Sequence, residues 1–167
     1  SENQLHSGGK KARGNADGIH VDAYFPYESR LGSKLLLDVG VLTHYVDPSF
    51  TVHGWLMLTL DAHIATKIAA LIDRHATEKG RKDARELVAL IDAEASVTAV
   101  VDVLMESTGG PKDAIPDYLR TTFQLLPSLA ALNQKDRRRY AALAREWVEE
   151  AELHLRGRAR RQARPTL

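Results

Sequence analysis

The sequence predicts an α+β fold, a small and mainly antiparallel sheet followed by a helical bundle. Residues 19–58 hold short runs rich in β-branched and aromatic residues, partly alternating with polar ones and punctuated by Pro and Gly. These runs follow one another closely, which favours antiparallel pairing over crossover connections. From residue 59 onward the apolar residues recur at helical spacing instead. At 167 residues the chain is long enough to bury a sizeable core within one domain.

Composition narrows the function classes. A net charge of +1 supplies no global field toward nucleic acid or membrane, so only local basic patches can act that way. The absence of Cys excludes disulfides, thiolate metal sites and a Cys nucleophile. No apolar run approaches the length of a membrane span, and residues 1–18 hold no apolar signal-peptide region. A cytoplasmic protein without a membrane partner is the expectation.

In chain order, residues 1–18 are rich in Gly and Lys without periodicity and read as a flexible lead-in. Ser7-Gly8-Gly9-Lys10 lacks both the full phosphate-loop spacing and a preceding strand. Ile19, Val21, Ala23 and Phe25 alternate with His20, Asp22 and Tyr24, which predicts a half-buried strand ended by Pro26. His20 and Asp22 share one face of it. Two readings fit that face, a divalent-cation site or the solvent side of an edge strand. A polar turn follows at residues 28–32, and residues 34–40, 41–46 and 50–58 supply two or three more strands, with Asp47-Pro48-Ser49 as a turn. The seven His show no zinc-binding spacing.

The first helix starts at Thr59 or Asp61, either of which caps it, and carries Ile64, Ile68, Leu71 and Ile72 on one stripe. Gly80 reads as the stop between this helix and the next. The second helix buries Ala84, Leu87, Leu90 and Ile91. Lys67 and Arg74, seven residues apart, project at nearly one angle beside Leu71, and Asp83 points toward the same packed side. An antiparallel hairpin brings Lys67, Arg74 and Asp83 to one edge. That edge fits two readings. One is an interhelical ion pair; the other is a phosphate clamp of a point charge and a planar fork, oriented by a carboxylate.

Beyond residue 93 the chain reads as helical. Ser96 caps a segment with Val97, Val100, Val101 and Leu104 on a stripe, and residues 109–111 break it. A helix over 111–124 and an apolar stretch over 125–132 follow. The longest helix starts at Asn133 or Asp136 and carries Tyr140, Leu143, Ala144, Trp147, Val148 and Ala151 on one face. Residues 156–164 hold five Arg, and with Arg137, Arg138 and Arg139 they suit a nucleic-acid backbone or simply a solvated tail. No aromatics interleave with them, which argues against a single-strand stacking platform. The expected units are a lead-in (1–18), a β-rich part (19–58), a bundle (59–155) and a basic tail (156–167).

Residues 19–24 (IHVDAY), the 28–32 turn (ESRLG) and the run LDAHIATKIAALIDR…GRKDARELVAL resemble the AbiEii-type nucleotidyltransferase toxins of abortive infection, members of the DNA-polymerase-β-like superfamily. The resemblance spans residues 19–91. It implies nucleotide-phosphate contacts for Lys67 and Arg74, with Arg30 as a further binding residue, and active-site roles for Lys67 and Asp83. It implies Asp22 as a catalytic, metal-holding strand carboxylate, NTP and Mg²⁺ as cofactors, and nucleic acid as the acceptor, tRNA being the one that the resemblance suggests. A toxin–antitoxin setting with an antitoxin protein partner also follows from it. The family's Gly-Ser element and Asp-x-Asp pair have no counterpart before the strand, and Glu86 stands displaced from the usual second acid after Lys-Asp. A two-metal site needs bridging carboxylates, which Asp22 alone does not supply. Two classes of function follow: the domain is part of a larger nucleotidyltransferase, or it is a noncatalytic helical module that binds nucleic acid or protein.

Overall fold

The computed structural model describes residues 3–6, 9–16, 19–24, 30–52, 54–108 and 112–162; the side chains of residues 1–29 lie outside what it describes. Strands β1 (Asn3–His6), β2 (Gly9–Ala16) and β3 (Ile19–Tyr24) form an antiparallel three-stranded sheet in the order β1-β2-β3. Most of the stretch expected as a flexible lead-in is therefore paired backbone, with Arg13 opposite Asp22 and Asn15 opposite His20. Gly9 and Lys10 lie on β2, while Ser7 and Gly8 fall outside the described residues.

Two small antiparallel pairs follow. Strands β4 (Arg30–Leu31) and β5 (Leu37–Asp38) pair with each other, as do β6 (Val46–Val52) and β7 (Trp55–Leu58). Helix α1 (Val39–Leu42) replaces the strand expected from residue 41. Its cause is Asp38, whose carboxylate accepts from Gly40 N at 2.8 Å and from Val41 N at 3.3 Å, so that the apolar run turns into a helix instead of extending. The Asp47-Pro48-Ser49 turn is an irregularity inside β6, and the hairpin reverses at Gly54, whose φ of +81° suits a residue without Cβ. Trp55 and Leu56 on β7 stand exposed.

The bundle consists of α2 (Leu60–Arg74), α3 (Glu78–Ile91), α4 (Val97–Ser107), α5 (Ile115–Leu129) and α6 (Gln134–Gln162). Thr59 caps α2, Ser96 caps α4, and Asn133 accepts from Asp136 N at 2.9 Å at the start of α6. Helix α4 lies at the centre, with Val97, Val100, Val101, Val103, Leu104 and Met105 all buried. Its neighbours include β5, α1, α2, α5 and α6. Phe123 meets Trp147 edge-on with ring centroids 5.4 Å apart, which joins α5 to α6. Helix α6 runs unbroken to Gln162, so the expected basic tail is ordered helix through that residue. Among the described residues, no helix is long and apolar enough to cross a membrane.

The α2–α3 corner differs from its expected form. Thr77, not Gly80, separates the helices. Its backbone N–H and hydroxyl both donate to Arg74 O, at 3.0 and 2.7 Å, and its hydroxyl oxygen accepts from Gly80 N at 3.1 Å. One side chain thus satisfies the end of α2 and the start of α3. Gly80 lies inside α3, where a Cβ would stand 2.3 Å from Arg74 O and 2.7 Å from the Cα of His75. Both obstacles are backbone.

Gly80→Ala is a test of that close approach. Helix propensity alone favours Ala by about 1 kcal/mol. The clash with backbone forces the helices apart and costs on the order of 2 kcal/mol or more, so the clash wins. A lowered denaturant midpoint is expected; a raised one would show that the corner yields freely.

Candidate functional site

Helix periodicity sets the site. Lys67 and Arg74 sit two turns apart on α2, flanking the stripe that buries Ile64, Ile68 and Leu71, and Asp83 occupies the first half of α3 on its inward side. The short Thr77 corner folds α3 back against α2, and the three side chains meet. Asp83 is only 2% exposed. Lys67 Nζ donates to its Oδ1 at 3.1 Å, while Arg74 donates from Nε to Oδ2 at 2.6 Å and from Nη2 to Oδ1 at 3.0 Å. The Lys67 side chain is 20% exposed and that of Arg74 is 43%, so both cations reach the surface from a buried anion.

Glu86 completes the cluster. It lies one turn after Asp83 and pairs with Lys67, and more loosely with Lys82 at 3.6 Å. The i+3 spacing from Asp83 is the sequence signal that places it there. Burial pushes the Asp83 carboxyl up, but the hydrogen bonds and charges of Arg74 and Lys67 outweigh this and hold it below the ordinary carboxylate value. Burial lowers the affinity of Lys67 for its proton, and Glu86 and Asp83 together more than reverse that. Glu86 is likewise held low, since Lys67 overcomes the effect of its own burial. His63, one turn before Lys67 on α2, is pushed down by burial and by the Lys67 charge. The cluster is therefore two cations and two carboxylates, with a neutral imidazole favoured beside them.

The neighbouring turn is fastened to the same helix by Asp73, which has no counterpart in the sequence reading. Its carboxylate accepts from Ser33 N at 2.6 Å, Ser33 Oγ at 3.0 Å and Lys34 N at 2.8 Å. Gly32, with φ +91°, lets the turn close; a Cβ there would lie 2.2 Å from Leu35 O. Nothing local in the sequence pairs Asp73 with a segment forty residues earlier. Arg30, expected to help bind nucleotide, pairs with Asp38 at 2.6 Å across β4 and β5.

Asp22 lies on β3, and its side chain, like that of His20, lies outside the described set. Among the described residues, no group of three His, Asp or Glu is placed to hold a metal ion. What the described residues show at this edge is two cations held by one buried carboxylate.

The arginines expected to act together divide in two. Arg139 is committed to Asp92, with Nη1 to Oδ1 at 2.7 Å and Nη2 to Oδ2 at 2.9 Å, and its guanidinium covers the Tyr140 ring at 4.8 Å. Arg137 donates to Leu132 O at 2.8 Å. Arg158 shares Asp102 Oδ1 with His154, at 2.6 and 2.7 Å. Arg138, Arg156, Arg160 and Arg161 are exposed.

The linkage at Asp83 gives a pH dependence with a definite sign. Its folded-state value lies below the unfolded one, so its contribution is fully present above about pH 4, the unfolded value, and is lost as pH falls through the folded value. Lys67, raised on folding, contributes below its unfolded value near about pH 10 and loses that contribution above it. Stability from urea melts is expected to fall between about pH 4 and the acid limit in the parent chain, and less steeply in Asp83→Asn. Equal acid slopes in the two would remove Asp83 as the titrating group.

No family model, curated protein or solved structure matches this chain.

Proposed function

We propose that this chain is a nucleotidyltransferase-like domain, part of a larger transferase, that binds the phosphates of an NTP along the Lys67–Arg74 edge. Nucleic acid, with tRNA suggested by the resemblance, is the acceptor, in a cytoplasmic toxin–antitoxin setting. One observation supports the binding role above the others: a single buried carboxylate pre-orients two cations that both reach the surface. A preset point charge and planar fork suit phosphate, because neither has to be ordered when the ligand arrives. Glu86 is paired with Lys67, so phosphate must replace it there. Mg²⁺ belongs to this reading through Asp22, the carboxylate that the resemblance assigns to it.

A second reading, a noncatalytic interaction module, is favoured by one feature. Between α5 and α6 runs an open groove of about 550 Å³, floored by Phe123, Pro127, Ala144 and Val148. In that reading the Lys67–Arg74–Asp83 cluster is only the fastening of the α2–α3 corner.

Calorimetry with the four NTPs, with and without Mg²⁺, separates the two. In the first reading Lys67→Ala weakens NTP binding about tenfold or more, equivalent to roughly 1.4 kcal/mol. Asp83 keeps its two bonds from Arg74, so the fold persists. Glu86→Gln, which releases Lys67 from its competitor, tightens binding about threefold to tenfold. Absence of NTP binding by the parent chain would overturn the proposal. So would unchanged affinity in Lys67→Ala accompanied by a lower melting temperature.

A further inference from the structure

Helix α6 carries an arrangement of charge that the bundle does not use. At about 100° per residue, Arg138, Arg145, Arg156 and Arg160 fall within about 60° of one another, on the side of α6 opposite buried Tyr140 and Trp147. All four are exposed, and among the described residues none has a carboxylate partner within 4 Å. Arg156 spends its Nε on Glu152 O at 3.3 Å. The row spans about 33 Å, with the midpoints of its two pairs about 25 Å apart at roughly 1.5 Å per residue.

The middle of that face is of the opposite sign. Glu149 stands between the pairs on the same side, with Glu146 on its flank, and Glu152 nearby is neutralised by Arg120. A continuous run of phosphates along the helix would meet repulsion there. No aromatic side chain accompanies the four arginines, so unstacked bases find no platform. A lipid surface is a poor fit as well, because Leu153 is a lone exposed large apolar side chain on α6, while Tyr140, Trp147 and Ala151 are buried in the bundle. What remains is a ligand that presents two separate stretches of phosphate to one rigid rod.

We propose that the solvent face of α6 binds double-stranded nucleic acid, with Arg138 and Arg145 on one pass of the backbone and Arg156 and Arg160 on another. This deepens the acceptor part of the reading above and rests on it. It also assigns Arg139 and Arg158 to holding the bundle together and not to phosphate.

The test measures binding of the full chain to RNA and DNA duplexes of roughly 20 base pairs, about two helical turns. Single strands of the same sequence and anionic phosphatidylserine vesicles run beside them across a salt series. The parent chain should bind a duplex with a slope of log K against log salt near about −3.6, at roughly 0.9 per phosphate. Each double variant, Arg138→Gln with Arg145→Gln and Arg156→Gln with Arg160→Gln, should shed about half of that slope, with the circular dichroism spectrum unchanged. An RNA preference and a DNA preference both support the proposal and identify the acceptor type. Stronger binding to single strands, equal loss on vesicles, or a slope that neither double variant changes would overturn it. NTP affinity is measured on the same samples. No duplex binding by the parent chain while it still binds NTP sinks this inference alone, and duplex binding without NTP binding sinks the nucleotide clamp alone.

Discussion

The carboxylate of Asp83 is the constraint on which the α2–α3 corner depends. A carboxylate 2% exposed costs several kcal/mol to desolvate, and only well-aligned donors offset that cost. Here Arg74 covers both oxygens and Lys67 adds a third bond. That geometry adds a directional constraint on the separation and rotation of the two helices to the close packing of Ile68, Leu71 and Leu87. Two features then become obligatory. The corner must be short, which Thr77 achieves by serving both helix ends, and α3 must approach the last turn of α2 closely, which Gly80 permits.

The same arrangement recurs across the bundle. Acids on α3 and α4 take bases from the helices beside them. Asp92 at the C-terminal end of α3 receives Arg139 of α6 and the hydroxyl of buried Tyr140, and Asp102 on α4 receives His154 and Arg158 of α6. Arg139 holds the Asp92 carboxyl below its ordinary value, with Tyr140 adding to it against a modest effect of burial. Burial and the hydrogen bond to Asp92 push the Tyr140 hydroxyl up, so it remains a donor at physiological pH. A long helix whose own sequence is strongly polar is thereby held in register at both of its ends.

Much of this was legible in the sequence because it is periodic or local. The stripe of Ile64, Ile68, Leu71 and Ile72 identified the inner side of α2, and the offset of Lys67 and Arg74 from the solvent side anticipated their meeting with Asp83. Caps at Thr59 and Ser96 are set by one side chain and the next turn, and they read correctly. What failed depends on partners distant in sequence or on competition between local signals. Residues 39–42 carry Val and Leu that suit a strand, yet the Asp38 cap decides for a helix. Gly80 resembles a helix stop until the backbone of Arg74 and His75 is known to lie against it. The pairing of β1 and β2 has no alternating apolar signature in GKKARGNA, so nothing marked those residues as strand.

Counting arginines illustrates the limit most clearly. In the sequence, Arg137, Arg138 and Arg139 are one basic run, but adjacent helical residues point about 100° apart. That rotation sends Arg139 to Asp92 and Arg137 to Leu132 in the α5–α6 connection, and leaves Arg138 in solvent. The same sorting takes Arg158 out of the 156–161 run. A net charge of +1 therefore conceals a divided molecule, in which several cations are matched to acids at helix interfaces and an unmatched set gathers on one side of α6. Local charge density follows from helix phase, and the bulk composition carries no trace of it.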